Sequence, residues 1–351
     1  VKNKPKILVC MSGGVDSSVA AALLVQAGYD VTGAFMVNYD DKEALTSCWR
    51  GDYQDALRVA AKLHIPLLRL NFVREYKKAV LDYMYSEYRK GRTPNPDVLC
   101  NKFVKFGFWL KKAKELGFGY MATGHYARIQ KSKIKNLKLF AAVDENKDQT
   151  YFLHQLNQNQ LKHVMFPIGE YTKDQVRKLA NKFGLPTAKK EESMGICFIG
   201  EVPMKEFLQK KIKSKKGKII LNNSKEILGE HDGVPFYTIG QRLGLNNKPY
   251  FVVKKDAKKN ILFVGNENDS ELLKQEIEVE DVNWISGQKP KLPIKCEVRL
   301  RHRQPLQSCR CEAEGRGNLI IKFNSPQKAV TPGQFAVLYS KDVCLGGGVV
   351  K

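Results

Sequence analysis

The chain has 351 residues, 43% of them hydrophobic and 27% charged, a balance that fits a globular protein with room for two or three domains. Lys and Arg number 59 against 36 Asp and Glu, a formal charge of +23. For a globular enzyme that excess favours a polyanionic partner such as nucleic acid, the alternative being a lysine bias spread over a solvated surface.

No apolar run approaches the ~18 residues of a membrane span. The first six residues run into an apolar stretch without an export-signal core, so a reducing cytoplasm is the expected compartment. Eight cysteines without a Cys-x-x-Cys pair argue against a disulfide scaffold.

In chain order, Ile7-Leu8-Val9-Cys10 reads as a buried strand that breaks at Met11-Ser12-Gly13-Gly14-Val15-Asp16-Ser17-Ser18 into an Ala/Leu-rich helix ending at Gly28. Glycines let a backbone approach an anion, and a helix start offers N–H donors and positive dipole. Ser12, Ser17 and Ser18 add hydroxyls, and Asp16 could hold Mg2+. The loop lacks the Lys of the common Gly-x4-Gly-Lys-Ser/Thr ATPase motif. The full string resembles instead the PP-loop of ATP pyrophosphatases, which implies ATP cleaved between its α and β phosphates and an adenylated substrate oxygen.

Further strands are expected at residues 30–37, 65–70 and 120–124. Helices are expected at 52–64, 74–90 and 103–116. Between them Gly91-Arg92-Thr93-Pro94-Asn95-Pro96-Asp97 has prolines that predict an exposed loop. This alternation implies a doubly wound parallel sheet with ligands at the carboxyl ends of its strands. Residues 137–143 and 150–156 flank the polar turn 144–149 and suggest a hairpin or a strand-to-loop excursion. A helix follows over 172–183, starting at a Thr cap. From about residue 215 short β-like runs with Gly and Asn turns take over, at 218–221, 250–254 and 261–264. Later runs at 295–301, 319–323 and 334–339 suggest a small C-terminal β-barrel. The expected division is 1–208, a small mainly β domain at 209–275, and a barrel at 276–351.

Two cysteines have distinctive settings. Cys100 follows Asn95-Pro96-Asp97-Val98-Leu99, and Cys197 lies in Gly195-Ile196-Cys197-Phe198-Ile199-Gly200. Such contexts predict exposed thiols, and a basic surface would favour the thiolate that attacks or carries sulfur. Cys10, Cys48, Cys296, Cys309, Cys311 and Cys344 read as small buried hydrophobes.

Ordered strings along essentially the whole chain resemble the tRNA-specific 2-thiouridylases. They include residues 12–18, Ala34-Phe35-Met36, 93–101, 122–128, 147–153, 195–201, 237–242, Arg301-His302-Arg303-Gln304, Pro332-Gly333-Gln334 and 344–348. The resemblance implies ATP-dependent 2-thiolation of the wobble uridine of tRNA. ATP would be held by residues 11–18 (Met11 and Val15 included), with Met36 and Gly124 near the nucleoside. Asn95, Pro96 and Asp97 would meet the target base, Asp97 taking a proton. Cys197 would carry the persulfide, and Cys100 would free or replace its terminal sulfur, as hydrosulfide or by ending in a disulfide. His125, Lys147, Asp148, Gln149, Arg301, His302 and Gln334 would touch tRNA. A sulfur-relay protein or a cysteine desulfurase would load Cys197. The chain departs from many relatives at His302, where Tyr is frequent, and at Leu243, where Lys is common. The competing readings are a PP-loop enzyme that amidates or ligates a small molecule, and a tRNA-binding module without catalysis.

Overall fold

The computed structural model describes residues 4–40, 49–131, 136–191, 203–245, 247–315 and 317–351. Its N-terminal half carries strands β1 (Lys6–Cys10), β2 (Asp30–Val37), β3 (Leu67–Asn71), β4 (Tyr120–Ala122), β5 (Arg128–Lys131), β6 (Leu137–Phe140) and β7 (Val164–Met165). Five of these form a parallel sheet in the order β3-β2-β1-β4-β7. Ile7, Leu8 and Val9 are fully buried, because helices cover both faces of β1. The chain winds one way from β1 through β2 to β3 and the other way through β4. The gap between β1 and β4 is therefore the switch point, where the loops leaving both strands open a crevice.

Helix α1 (Val15–Gln26) leaves β1 and buries Val15, Val19, Ala20 and Leu24. The helix expected over 172–183 is Lys173–Lys182, with Thr172 and Gln175 forming a capping box. The prolines of residues 91–97 do not hold that whole stretch out of helix. Pro96 occupies the first turn, Asn95 caps it, and helical turns continue through Cys100–Trp109 to Glu115. Residues 150–156 do not form the second arm of a hairpin. Thr150–Leu153 is a helical turn, since the Asp148 carboxylate accepts the N–H and hydroxyl of Thr150, while β6 pairs back with β5.

The middle of the chain contributes β8 (Gly217–Leu221), β9 (Ile227–His231), β10 (Arg242–Leu245), β11 (Lys248–Asp256) and β12 (Ile261–Gly265), in the order β10-β11-β12-β8-β9. The C-terminal strands are β13 (Leu273–Trp284), β14 (Ile294–Arg299), β15 (Gln307–Glu314), β16 (Asn318–Lys328), β17 (Phe335–Ser340) and β18 (Val343–Val350). They run β13-β16-β15-β14-β17-β18, and β18 closes on β13 to make a six-stranded barrel. The barrel does not stand apart. β18 also pairs with β6, so the β5–β6 hairpin extends its sheet, and Phe335, Val337, Tyr339 and Cys344 share one apolar core with Leu139, Tyr151 and Leu153. Among the described residues, no helix is long and apolar enough to cross a membrane.

Candidate active site

The loop after β1 is shaped by its own hydroxyls. Ser17 Oγ accepts from Ser12 N (3.2 Å) and donates to the Gly14 carbonyl (3.1 Å), and Ser18 Oγ donates to the same carbonyl (2.8 Å). Gly13 has φ +76°, and a Cβ there would stand 2.2 Å from the Asp52 carbonyl oxygen, so only glycine fits. Gly14 is the N-cap and brings no side-chain acceptor, so the first N–H groups of α1 face the loop. Across the switch point a Cβ on Gly124 would lie 2.6 Å from Ser17 N. The loop leaving β4 thus rests on the start of α1, and the crevice is floored by backbone from both strands. Met36 is buried near the end of β2, where Asn38 donates to its carbonyl and accepts from Trp109 Nε1.

Asp16 is engaged within the protein. Its Oδ1 accepts from Lys173 Nζ (2.7 Å) and from the Tyr126 hydroxyl (2.9 Å). This carboxylate thereby orients Lys173 beside the loop. The sequence around Lys173 carries no signal of this pairing. Lys173 stands 157 positions from Asp16, and the only local signal near it is the Thr172 cap. Tyr126 is held in turn by Gln149, whose Oε1 accepts from Tyr126 N at 3.0 Å.

Among the residues expected at tRNA, several are engaged internally. Asp148 is only 2% exposed; it accepts from Arg299 Nη1 at 2.7 Å, from Ala142 N and from Thr150. Its carboxylate is needed to turn the chain into Thr150–Leu153, which removes it from the surface. His125 is also buried, between the Phe106 and Phe166 rings, with Nδ1 2.7 Å from Thr123 Oγ1 and Nε2 3.5 Å from Lys105 Nζ. Burial first, and Lys105 second, hold its pKa well below the usual histidine value, so the ring is a neutral support for the β4 loop. Lys147, by contrast, is part-exposed.

The segment expected at the target base is gripped by the barrel. Gln334 Nε2 donates to the carbonyls of Thr93 (2.8 Å) and Pro94 (3.3 Å), and its Oε1 accepts from Asn95 Nδ2 (3.3 Å). Thr93 N donates to the Pro332 carbonyl, and Gly333, with φ +93°, passes so close that a Cβ would reach Thr93 N at 3.0 Å. Asp97 is half-buried one turn before Cys100. The prediction of an exposed Cys100 thiol fails, since Cys100 is fully buried. The helix started by Pro96 carries it onto an inward face beside Val98, Leu99 and Val104. Cys197 lies outside the described residues, as do the rest of 192–202 and Cys48.

Gln334 also lines a cavity of about 260 Å³ with Arg301, His302, Arg303, Gln304 and Lys328, a basic hollow adjoining the Asn95 segment. The His302 ring lies 4.5 Å from that of Phe152. Burial, and then Arg303, lower its pKa to about 4, which leaves a neutral ring beside three cationic side chains.

Sequence comparison accounts for nearly the whole chain. Family profiles match residues 5–201 (tRNA methyl transferase HUP domain), 205–266 (tRNA methyl transferase PRC-barrel domain) and 274–350 (Aminomethyltransferase beta-barrel domain). The chain is 46% identical to tRNA-specific 2-thiouridylase MnmA of Geobacillus thermodenitrificans, covering 99% of this chain and 95% of that protein. It is 47% identical to the Alkaliphilus oremlandii protein of the same name (98% and 96% covered) and 44% identical to that of Francisella tularensis subsp. novicida (100% of both). The U34-tRNA thiolase NcsA from Methanococcus maripaludis is 18% identical with a TM-score of 0.37, over 60% of this chain and 67% of that one. With relatives this similar along their full length, the chain belongs to the tRNA-specific 2-thiouridylase family.

Proposed function

We propose that this protein replaces the 2-oxygen of the wobble uridine of tRNA by sulfur at the expense of ATP. The observation that carries this reading is the crevice between β1 and β4, where Gly124 brings the β4 loop onto the start of α1 and Gly13 brings the β1 loop against the Asp52 backbone, in a chain of this family. The backbone cradle fits a triphosphate, and Lys173 supplies the charge that a lysine within the loop supplies in other ATPases. Magnesium would arrive on the nucleotide's own phosphates and would neutralise part of their charge, and no step here depends on it.

A uracil C2 carbonyl is a poor electrophile. Attack of its oxygen on the α-phosphorus of ATP expels pyrophosphate and converts that oxygen into part of a leaving group, AMP. N–H donors at the start of α1 stabilise the charge that develops on phosphorus. Sulfur then adds at C2, and AMP departs with the original oxygen. The sulfur is the terminal atom of a persulfide on Cys197, loaded by a sulfur-relay protein or a cysteine desulfurase in the cytoplasm. Its bond to Cys197 is broken by the Cys100 thiolate, either before addition, releasing hydrosulfide, or after it. Both routes leave a Cys100–Cys197 disulfide that a cellular thiol must reduce. Because Cys100 is buried, this role requires the Asn95–Cys100 turn to open when the base leaves its stack and enters. Asp97 would accept a proton from the base, Asn95 and Pro96 would border it, and Lys147, Arg301 and His302 would meet the RNA around it.

The test is mass spectrometry of tRNA nucleosides after incubation with ATP, magnesium and a persulfide donor. Exchange of one oxygen for sulfur at the wobble uridine is expected, and Cys197→Ser should abolish it. Undiminished thiolation by that variant, or amidation of a small molecule with no change in tRNA, would overturn the reading.

A further inference from the structure

Cys296, Cys309 and Cys311 are remote in purpose from the chemistry above, yet the barrel brings them to one point. Cys309 and Cys311 are two residues apart on β15 and so project from the same face. The register of β14 and β15 places Cys296 directly opposite Cys309, and Ile294 opposite Cys311. All three face the barrel interior, where they are 8%, 3% and 0% exposed. Cys296 Sγ is 3.6 Å from Cys309 Sγ and 3.3 Å from Cys311 Sγ, and all three sulfurs fall within 4.8 Å of one another.

We propose that this triad is a binding site for one thiophilic d10 metal ion. Sulfur ligands about 2.3 Å from a shared ion stand about 3.8 to 4.0 Å apart, so the edges of 3.6 and 3.3 Å need to open by roughly 0.2 to 0.7 Å. Among the described residues no other group of three His, Cys, Asp or Glu side chains is so gathered. The surroundings are apolar, with Val298, Ile321, Phe323 and Leu338 in the same cluster. Three soft donors in a dry, apolar setting select Zn2+ or Cu+ and reject Mg2+ and Ca2+, which take oxygen ligands. Binding displaces thiol protons: Zn2+ with three thiolates releases three and leaves one net negative charge, and Cu+ with two thiolates and one thiol releases two and leaves the same. No redox step is involved. The ion would tie β14 to β15 and stiffen the barrel wall.

The experiment uses the full-length chain carrying Cys100→Ser and Cys197→Ser, which removes the two thiols assigned to sulfur transfer. Under anaerobic conditions Zn2+ and Cu+ are offered separately against a competing chelator, and bound metal is counted by mass spectrometry. One equivalent should be retained, X-ray absorption should show a shell of two or three sulfurs at about 2.3 Å, and adding Cys309→Ala with Cys311→Ala should reduce retention at least tenfold. The larger proton release in the Zn2+ arm separates the two ions. Failure to retain either ion, equal retention by the alanine variant, or a shell of nitrogen and oxygen alone would each overturn the proposal. The absorption spectrum needs no barrel substitution, so an unfolded alanine variant leaves the decision to it.

Discussion

The nucleotide loop and the Asn95 segment are both candidate functional elements, but they are held in opposite ways. The hydroxyl bonds that shape residues 12–18 span five positions or fewer, while Asp52, Gly124 and Lys173 abut the loop from farther along the chain. The Asn95 segment is held by Gln334 from about 240 positions away. A cradle built largely from its own hydroxyls and backbone fails first when that backbone is altered. A long-range clamp fails when either distant partner is lost, and it couples the Asn95 segment to the basic hollow at Arg301 and His302.

The sharpest way to separate the two regions is Gly13→Ala. A Cβ 2.2 Å from a backbone oxygen, at φ +76°, should lower activity by about 10² to 10³-fold. Fluorescent ATP analogues should no longer bind while tRNA affinity persists; retained ATP binding would break the assignment of the loop. Lys173→Met should come next, with the apparent KM for ATP up about tenfold and tRNA affinity unchanged, as read by steady-state kinetics. Gln334→Ala removes three hydrogen bonds worth about 1 kcal/mol each. It should slow single-turnover thiolation about tenfold without altering ATP affinity, and an equal effect on both would mean that the two regions are not independent.

Acid should act on both sides, because burial holds His125 under the β4 loop well below the usual histidine value, as it does His154 and His302 near the clamp. His154 is fully buried against the Tyr151 carbonyl, and burial lowers its pKa from 6.5 to about 3, while that of His302 falls to about 4. Both are depressed, so the stability they favour is complete above pH 6.5 and is lost as the pH falls toward 4. Urea midpoints should drop over that window, and less so in His154→Phe if the variant folds. The smallest effect belongs to Lys147→Ala, which should reduce the salt slope of tRNA binding by about 1.

The contrast also explains how much was legible in the sequence. The strand–loop–helix at residues 6–26, the alternating pattern of the sheet and the capping box at Thr172 are local, and each was read from neighbouring residues. The prolines near Cys100 predict an exposed loop, whereas Pro96 at a first helical turn starts a helix that turns the thiol inward. Asp148 and His125 were placed with the RNA because the resemblance names strings and does not say which side chain of a string turns inward. Their burial depends on Arg299 and on Phe166, which are distant in sequence. The Asp16–Lys173 pair and the approach of Cys296 to Cys309 arise from fold and register, whereas the Cys309-x-Cys311 spacing alone gives only a shared strand face.

The pairing of β18 with β6 has a mechanical consequence. Val343 and Cys344 are laddered to Phe140 and Leu139, Tyr151 donates its hydroxyl toward the Leu300 and Phe335 carbonyls, and Asn283 donates to the His154 and Leu156 carbonyls. A lever with so many rivets does not swing. The C-terminal barrel and the ATP-side half should melt as one cooperative unit in a calorimeter, and admission of an anticodon loop must come from short segments yielding within a stiff frame.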